Sequence, residues 1–373
     1  MFSSRVCIIT TNKEGYSETF IRNHIQYLPF PKKALYKGLS PILYDWETEK
    51  PLYNPSFYKA KKYLISKWGS FSEEKFVRDY LSDYLNQNKI QIVLAEFGPV
   101  GANVVEACRT AKVPLVVHFH GDDAHGERFI SKYNGYQKLV KHAKAVVCVS
   151  NVMKEQLIKL GFSDQQLHLI PYGINNSFFS GGNPTASAPN FLAVGRFVDK
   201  KAPHLTILAF KKVLEKVPDA KLTMIGEGPL LSACKSLIKA LKINAQVEFK
   251  GICDSDEVQK YMRSSRAFVQ HSITPETGEK EGTPLSILEA CATGLPIIST
   301  YHAGIPEAVI HDKTGFLVDE HDIEGMANYM IELAKNSKLA QKMGEEGRKH
   351  IAQHYELKNQ IKKLATLLEE NSK

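Results

Sequence analysis

The sequence predicts an α/β chain of two doubly wound domains, and three observations carry that expectation. Short β-branched runs alternate with helical patterns along the chain; the alternation stops and restarts once; and the interruption, SGGNPTASAPN at residues 180–190, is rich in Gly, Ser, Pro and Asn and carries no charge. Strand–helix alternation points to a parallel sheet covered on both faces, and an uncharged run of small residues is a linker signal. At 373 residues the chain also exceeds one typical core. The expected boundaries are 1–180 for the first domain, 181–190 for the linker and 191–354 for the second domain.

Each element has its own warrant. In the first half the strand candidates are residues 6–11, 90–96, 114–120 and 145–150, separated by helical patterns at 18–28, 73–87, 101–110, 130–141 and 151–160. After the linker come FLAVGRF (191–197), KLTMIGEG (221–228), VEFKGI (247–252), AFVQHS (267–272) and PIIST (296–300). The helix after the first of these starts at Pro203, a favoured first-turn residue, and Ile207, Phe210, Leu214 and Val217 recur at helical spacing. Leu357, Ile361, Leu364 and Leu368 mark a final amphipathic helix whose docking place the pattern leaves open.

Composition narrows the function classes. No apolar run reaches the roughly eighteen residues of a membrane span, and MFSSRVCIITTNKEG enters a strand without a small-residue cleavage site, so a secretory signal is not expected and a cytoplasmic location is. The six cysteines form no CxxC and no His/Cys cluster at metal-ligand spacing, which predicts reduced, buried thiols. Residues 1–180 hold 23 Lys+Arg against 16 Asp+Glu, so +7 of the net +8 lies in the first half. FYKAKKYLISKW (57–68) mixes Lys59, Lys61, Lys62 and Lys67 with Phe57, Leu64, Ile65 and Trp68. It suits a helix on an anionic membrane surface and equally an ordinary helix with one solvated face. No aromatic–basic RNA or DNA motif accompanies the charge, so nucleic acid is not an expected partner.

Doubly wound sheets bind ligands beyond the carboxyl ends of their strands, which selects the candidate site residues. EGTPLSILEACATGLPIIST (281–300) lies on such an edge, with Thr283 as expected N-cap and Pro284 as first helical residue. A helix start offers free N–H groups to phosphate. The acids around it, Glu281 and Glu289, suit hydroxyl donors of two sugar rings, although such a pair also serves as plain solvated surface. In GRFVDKK, Arg196 and Lys201 can neutralise a diphosphate without a metal, or form surface salt bridges. GEGP adds a tight turn at Gly226. HFHGDDAH puts His120 at a strand end, where a structural and a ligand-facing role are both open. Gly15 in TTNKEGYSETF is either a close-approach glycine or a simple turn. The acids of DSD (254–256) read as helix caps, and GDD (121–123), beside His120, offers a second metal-like pair, but no metal is expected at either.

GRFVDKKAP, GEGP, the two glutamates of EGTPLSILEACATGLPIIST and AGIPEAVIHDKTGFLV, in that order, resemble the nucleotide-sugar half of retaining glycosyltransferases of family 4. HFHG and GYSETFIRNHI resemble the first half of polysaccharide-assembling, colanic-acid-type members. The resemblance implies a GT-B fold, two Rossmann-like doubly wound domains facing a cleft, with the tail 355–373 packing back on the first domain.

It further implies that Arg196 and Lys201 hold the donor diphosphate and Glu289 the ribose. Gly226, Glu281 and the backbone of Gly282, Thr283, Pro284 and Leu285 would complete the donor site. His120 would meet the sugar near the reacting carbon, and Gly15, Tyr16 and Ser17 would form a phosphate or acceptor loop. The implied reaction is metal-independent hexosyl transfer with retention, from a UDP- or GDP-type sugar to a glycan or lipid-linked acceptor, with no cofactor and with peripheral contact to the cytoplasmic membrane face. A nucleotide-sugar epimerase or hydrolase on the same fold is the alternative, followed by a basic nucleic-acid-binding protein.

Overall fold

The computed structural model describes residues 2–13, 15, 18–68 and 70–372. They divide into two compact units, Met1–Ile170 with Lys358–Lys373, and Pro171–Leu357.

The first unit is built on a seven-stranded sheet of β1 (Val6–Ile9), β2 (Lys32–Tyr36), β3 (Tyr44–Asp45), β4 (Ile92–Glu96), β5 (Leu115–His118), β6 (Ala145–Cys148) and β7 (Leu167–Leu169), in the order β3-β2-β1-β4-β5-β6-β7. All neighbours are parallel except β2 and β3. Every residue of β1, β4, β5 and β6 is buried, as strands covered by helices on both faces must be. The strand order reverses between β1 and β4, so the carboxyl ends of these two strands form the first unit's switch point.

The second unit has β8 (Asn190–Val194), β9 (Lys221–Ile225), β10 (Val247–Gly251), β11 (Ala267–Val269), β12 (Ile297–Thr300) and β13 (Gly315–Val318), all parallel, in the order β10-β9-β8-β11-β12-β13. Its switch point lies between β8 and β11. Phe191, Phe210, Met224, Val269, Ile298, Phe316 and Met330 close the core between this sheet and its helices.

Three sequence expectations change. The segment 181–190 is not a free linker: Gly182 N donates to Thr293 O at 2.9 Å, and Arg266 donates through Nε to Pro184 O at 2.7 Å and through Nη2 to Ser187 O. A buried guanidinium takes these carbonyls as its partners, so the stretch is anchored to the second unit and the division falls at residue 170. The helix expected over 130–141 is broken into Glu127–Lys132 and Gln137–His142, because Gly135 and Tyr136 adopt φ of 60° and 57° between them. Strands β2, β3, β7 and β13 were not expected, and β2, KKALY, shows why: it is half-buried, lysine-rich and lacks β-branched residues. The last helix, Leu357–Asn371, buries Leu364 and Leu368, and Glu369 accepts from Ser4 N at 3.3 Å within the first unit.

Candidate active site

At the second switch point the chain leaves β8 through Gly195 and Arg196, makes a one-turn 3-10 helix, Asp199–Lys201, and enters the helix Pro203–Val213. Gly195, Arg196, Lys201 and Gln270 line a pocket there with Pro203 and Thr206. The glycines have a steric reason. A Cβ on Gly195 would lie 2.8 Å from Lys201 Cδ, and one on Gly226, whose φ is 130°, would collide with the Gly195 carbonyl. The GEGP turn therefore lies directly against the GRF turn, joined by Phe197 N to Glu227 O at 2.9 Å.

Lys201 is the electrostatic centre of this pocket. Its Nζ lies 3.4 Å from Glu281 Oε1 and 3.4 Å from Gln270 Oε1. Burial lowers the Lys201 pKa, opposed by Glu281. Burial would raise the Glu281 carboxyl, but the neighbouring Lys201 and Lys200 outweigh it and hold the group at about 2. The result is a permanently ionised acceptor whose Oε1 makes no hydrogen bond among the described residues. Glu289 contrasts with it: no cation lies within ion-pairing distance among the described residues, and desolvation alone pushes its carboxyl up to about 7. Arg196 is exposed at the pocket mouth.

The helix expected to begin at Pro284 begins one residue later. It spans Leu285–Thr293, with Pro284 in extended conformation as N-cap and no side-chain cap, so the expected Thr283 cap is not formed. Thr283 is buried instead. Gly282 O accepts from Gly304 N at 3.1 Å, which ties the loop to the turn after β12.

In the first unit His120 follows β5, and its ring turns inward. Nε2 lies 2.9 Å from Glu96 Oε2, and the ring packs on His118, Phe20 and Phe97 with centroids 4.2, 4.3 and 4.6 Å away. Burial, reinforced by His118, lowers its pKa to about 3 against the pull of Glu96, so the imidazole is neutral at physiological pH. Glu96 is fully buried, which by itself would raise its pKa, yet it is held well below the usual carboxylate range by His24 and by hydrogen bonds from His118, His120 and His24. Asp123 accepts from Gly98 N, His120 N and Gly121 N at 2.9, 2.8 and 3.0 Å, fixing the His120 backbone.

Metal-binding groups are few. Among the described residues, His24, Glu96 and His118 place ligand-type atoms within 4.8 Å of one another. The 2.7 Å between His24 Nδ1 and Glu96 Oε1 is a charge-assisted hydrogen-bond distance. Asp254 is an N-cap, accepting from Glu257 N at 2.9 Å.

The predicted donor residues thus fall together on one edge of the second unit: Arg196, Lys201, Gly226, Glu281 through Leu285, and Glu289. His120 and Gly15 lie on loops at the carboxyl edge of the first sheet, and Gly15 O accepts from Arg22 Nη2 at 3.1 Å. Tyr16 and Ser17 lie outside the described residues. Sequence reasoning missed Gln270, Glu96, His24 and His302. Gln270 and Glu96 had a usable signal, each standing at the carboxyl end of a switch-point strand.

Comparison with known proteins supports the fold. Residues 178–350 match the family described as Glycosyl transferases group 1, and residues 49–178 match Glycosyltransferase Family 4. WcaL of Escherichia coli K12, named for colanic acid biosynthesis, is 26% identical over 70% of this chain and 66% of its own length. AmsK of Erwinia amylovora, an amylovoran biosynthesis glycosyltransferase, is 25% identical over 74% and 69%. Among solved structures, HepE of Anabaena in complex with UDP-glucose aligns with a TM-score of 0.78 over 98% of this chain and 99% of its own, at 14% identity.

Proposed function

We propose that this chain, which belongs to the family 4-type glycosyltransferases of GT-B fold, transfers a hexosyl unit from a nucleoside-diphosphate sugar to an acceptor hydroxyl in cell-surface polysaccharide assembly, with retention and without a metal. The observation that carries the reading is the buried Lys201–Glu281 pair at the second switch point. It sets a cation for the diphosphate beside an ionised acceptor for sugar hydroxyls. Arg196 joins Lys201 on the diphosphate, the start of the helix Leu285–Thr293 adds N–H donors, and Glu289 takes the ribose. His120 serves as a neutral hydrogen-bond partner of the sugar, held on Glu96. The relatives' names, in colanic acid and amylovoran biosynthesis, and the UDP-glucose bound by HepE support the same class of chemistry.

In the reaction, the acceptor oxygen bonds to the anomeric carbon as the bond from that carbon to the diphosphate oxygen breaks on the same face, and the acceptor proton passes to the leaving diphosphate. No side chain need act as nucleophile; Arg196 and Lys201 stabilise the charge that develops on the leaving group.

The first unit carries a surface suited to a lipid-linked acceptor. No helix among the described residues is long and apolar enough to cross a membrane, but Pro55–Trp68 leaves Phe57, Tyr63 and Leu64 67%, 65% and 59% exposed beside Lys59, Lys61 and Lys67. That combination supports peripheral docking on anionic lipid at the cytoplasmic face. Lys62 is already committed, 2.7 Å from Glu73.

Isothermal titration against UDP, GDP, ADP and their hexoses tests the proposal, followed by proton NMR of the product's anomeric configuration. Binding of one nucleoside diphosphate and a product with the donor's configuration are expected. An altered donor or free sugar formed without acceptor would overturn it in favour of an epimerase or hydrolase.

A further inference from the structure

We propose that His302 is a positioning residue of the donor site, locked as one tautomer between Glu320 and the backbone of Glu281. The proposal rests on the reading of Glu281 as a ligand of the donor sugar. Glu281 sits in a segment of irregular backbone between β11 and the helix Leu285–Thr293, so something outside regular structure has to fix its position. Its backbone N–H donates to His302 Nε2 at 3.1 Å. A backbone N–H can only donate, so Nε2 carries the lone pair, and a neutral ring keeps its single proton on Nδ1. Nδ1 lies 2.7 Å from Glu320 Oε1. Glu320 is itself held by Thr274, which donates through N to Oε2 at 2.7 Å and through Oγ1 to Oε1 at 3.1 Å.

The chain of contacts therefore runs from Thr274 and Glu320 through His302 to Glu281 N, and every link has a defined donor and acceptor. His302 is 1% exposed, so water cannot take over the acceptor role. Burial also lowers the His302 pKa, which favours the neutral ring that the geometry requires. His302 reaches the site only through the Glu281 backbone. Its effect is on where the Glu281 carboxylate stands relative to Lys201, and hence on the sugar end of the donor rather than the nucleotide end.

Two measurements test this. In protein labelled with nitrogen-15 histidine, the His302 signals, assigned by difference from His302→Gln, should show an unprotonated Nε2 and a protonated Nδ1. The reverse tautomer, or a doubly protonated ring at neutral pH, would overturn the proposal whatever the enzyme's substrate is. In kinetics, His302→Leu keeps bulk and loses the acceptor, while His302→Gln keeps an acceptor oxygen near the Nε2 position. The Leu variant should lose about tenfold or more in kcat/KM for the nucleotide sugar while binding the bare nucleoside diphosphate within about threefold of wild type, and the Gln variant should recover most of the loss. Equal losses in both variants, no loss in either, or a matching loss of nucleoside-diphosphate affinity would each refute the positioning role. Failure of wild type to bind any nucleoside diphosphate would instead overturn the proposed function, with the tautomer measurement left to judge His302 alone.

Discussion

Glu289→Gln should stabilise the protein at alkaline pH and not at acid pH. The Glu289 carboxyl has its pKa raised from 4.5 to about 7 by desolvation. A raised carboxyl pKa means that the folded state binds a proton the unfolded state has released. Below the unfolded value the group is neutral in both states and costs nothing; between that value and 7 only the folded state still holds the proton, so stability falls as pH rises through this window, and above 7 the fold carries a desolvated charge and the loss is complete. From 4.5 to about 7, at about 1.4 kcal/mol per pH unit, the loss has an upper bound of about 3.5 kcal/mol, and solvent screening of the partly exposed side chain brings it to about 2. The Gln variant does not titrate, so its stability relative to wild type should climb by about 2 kcal/mol between about pH 4.5 and pH 8. Urea unfolding of the two proteins side by side across that window measures the difference. A difference that stays flat with pH would refute the assignment of an elevated pKa. On the proposed function the same proton links to binding: the carboxylate accepts ribose hydroxyls more strongly than the neutral acid, so wild-type affinity for the nucleoside diphosphate should be weaker at pH 6 than at pH 8, by up to about tenfold, a trend the variant should lack.

The diphosphate cations should separate by burial. Lys201→Met should cut kcat/KM by about 10- to 150-fold, from a charge-assisted contact of about 1.5–3 kcal/mol, and also lower thermal stability, because Glu281 is left buried without its cation. The exposed Arg196 should, as Ala, lose similar activity with an unchanged melting temperature; near-normal kinetics in both variants would refute their role. Activity should survive EDTA, and loss on chelation restored by Mg²⁺ or Mn²⁺ would reverse that reading. Wild type should float with anionic liposomes at low salt and less at high salt, and Lys59, Lys61 and Lys67 changed together to Glu should not, each lysine contributing about 1 kcal/mol; Lys62 stays unchanged because it pairs with Glu73.

Legibility in the sequence tracked burial on both faces of the sheet. β1, β4, β5 and β6 read as continuous apolar runs because both their faces are covered, whereas β2, with lysines and half-exposed side chains, carries no such pattern. The loop at 181–190 has the composition of a linker because its backbone, not its side chains, makes the contacts: the guanidinium that holds it lies some eighty residues away at Arg266. The break near residue 135 turns on three consecutive residues of positive φ, Asn134, Gly135 and Tyr136, the last of which no propensity scale favours there. Site residues behaved in the same way. Lys201 and Glu281 were legible because their types announce a charge at a strand end. His302 was not, because its importance comes from a hydrogen bond to backbone, and any residue can supply a backbone N–H.

The two glutamates show what the structure adds to the spacing. Eight positions apart, they look interchangeable as acceptors, but one lies beside Lys201 and is held at about 2, while the other has only desolvation acting on it and stands at about 7. Environments that drive like groups apart in this way divide the work of a site. Glu281 is charged whether or not a ligand is present, so its position can be built once and kept, by Lys201 at the carboxylate and by His302 at the backbone. Glu289 is charged at neutral pH only in part, and in the proposed function a ligand that offers hydroxyl donors would complete its ionisation. In the proposed reaction the sugar end would then meet a preformed acceptor, where misplacement costs rate, while the ribose end would ionise its own partner and release a proton as it binds, where the cost falls on affinity.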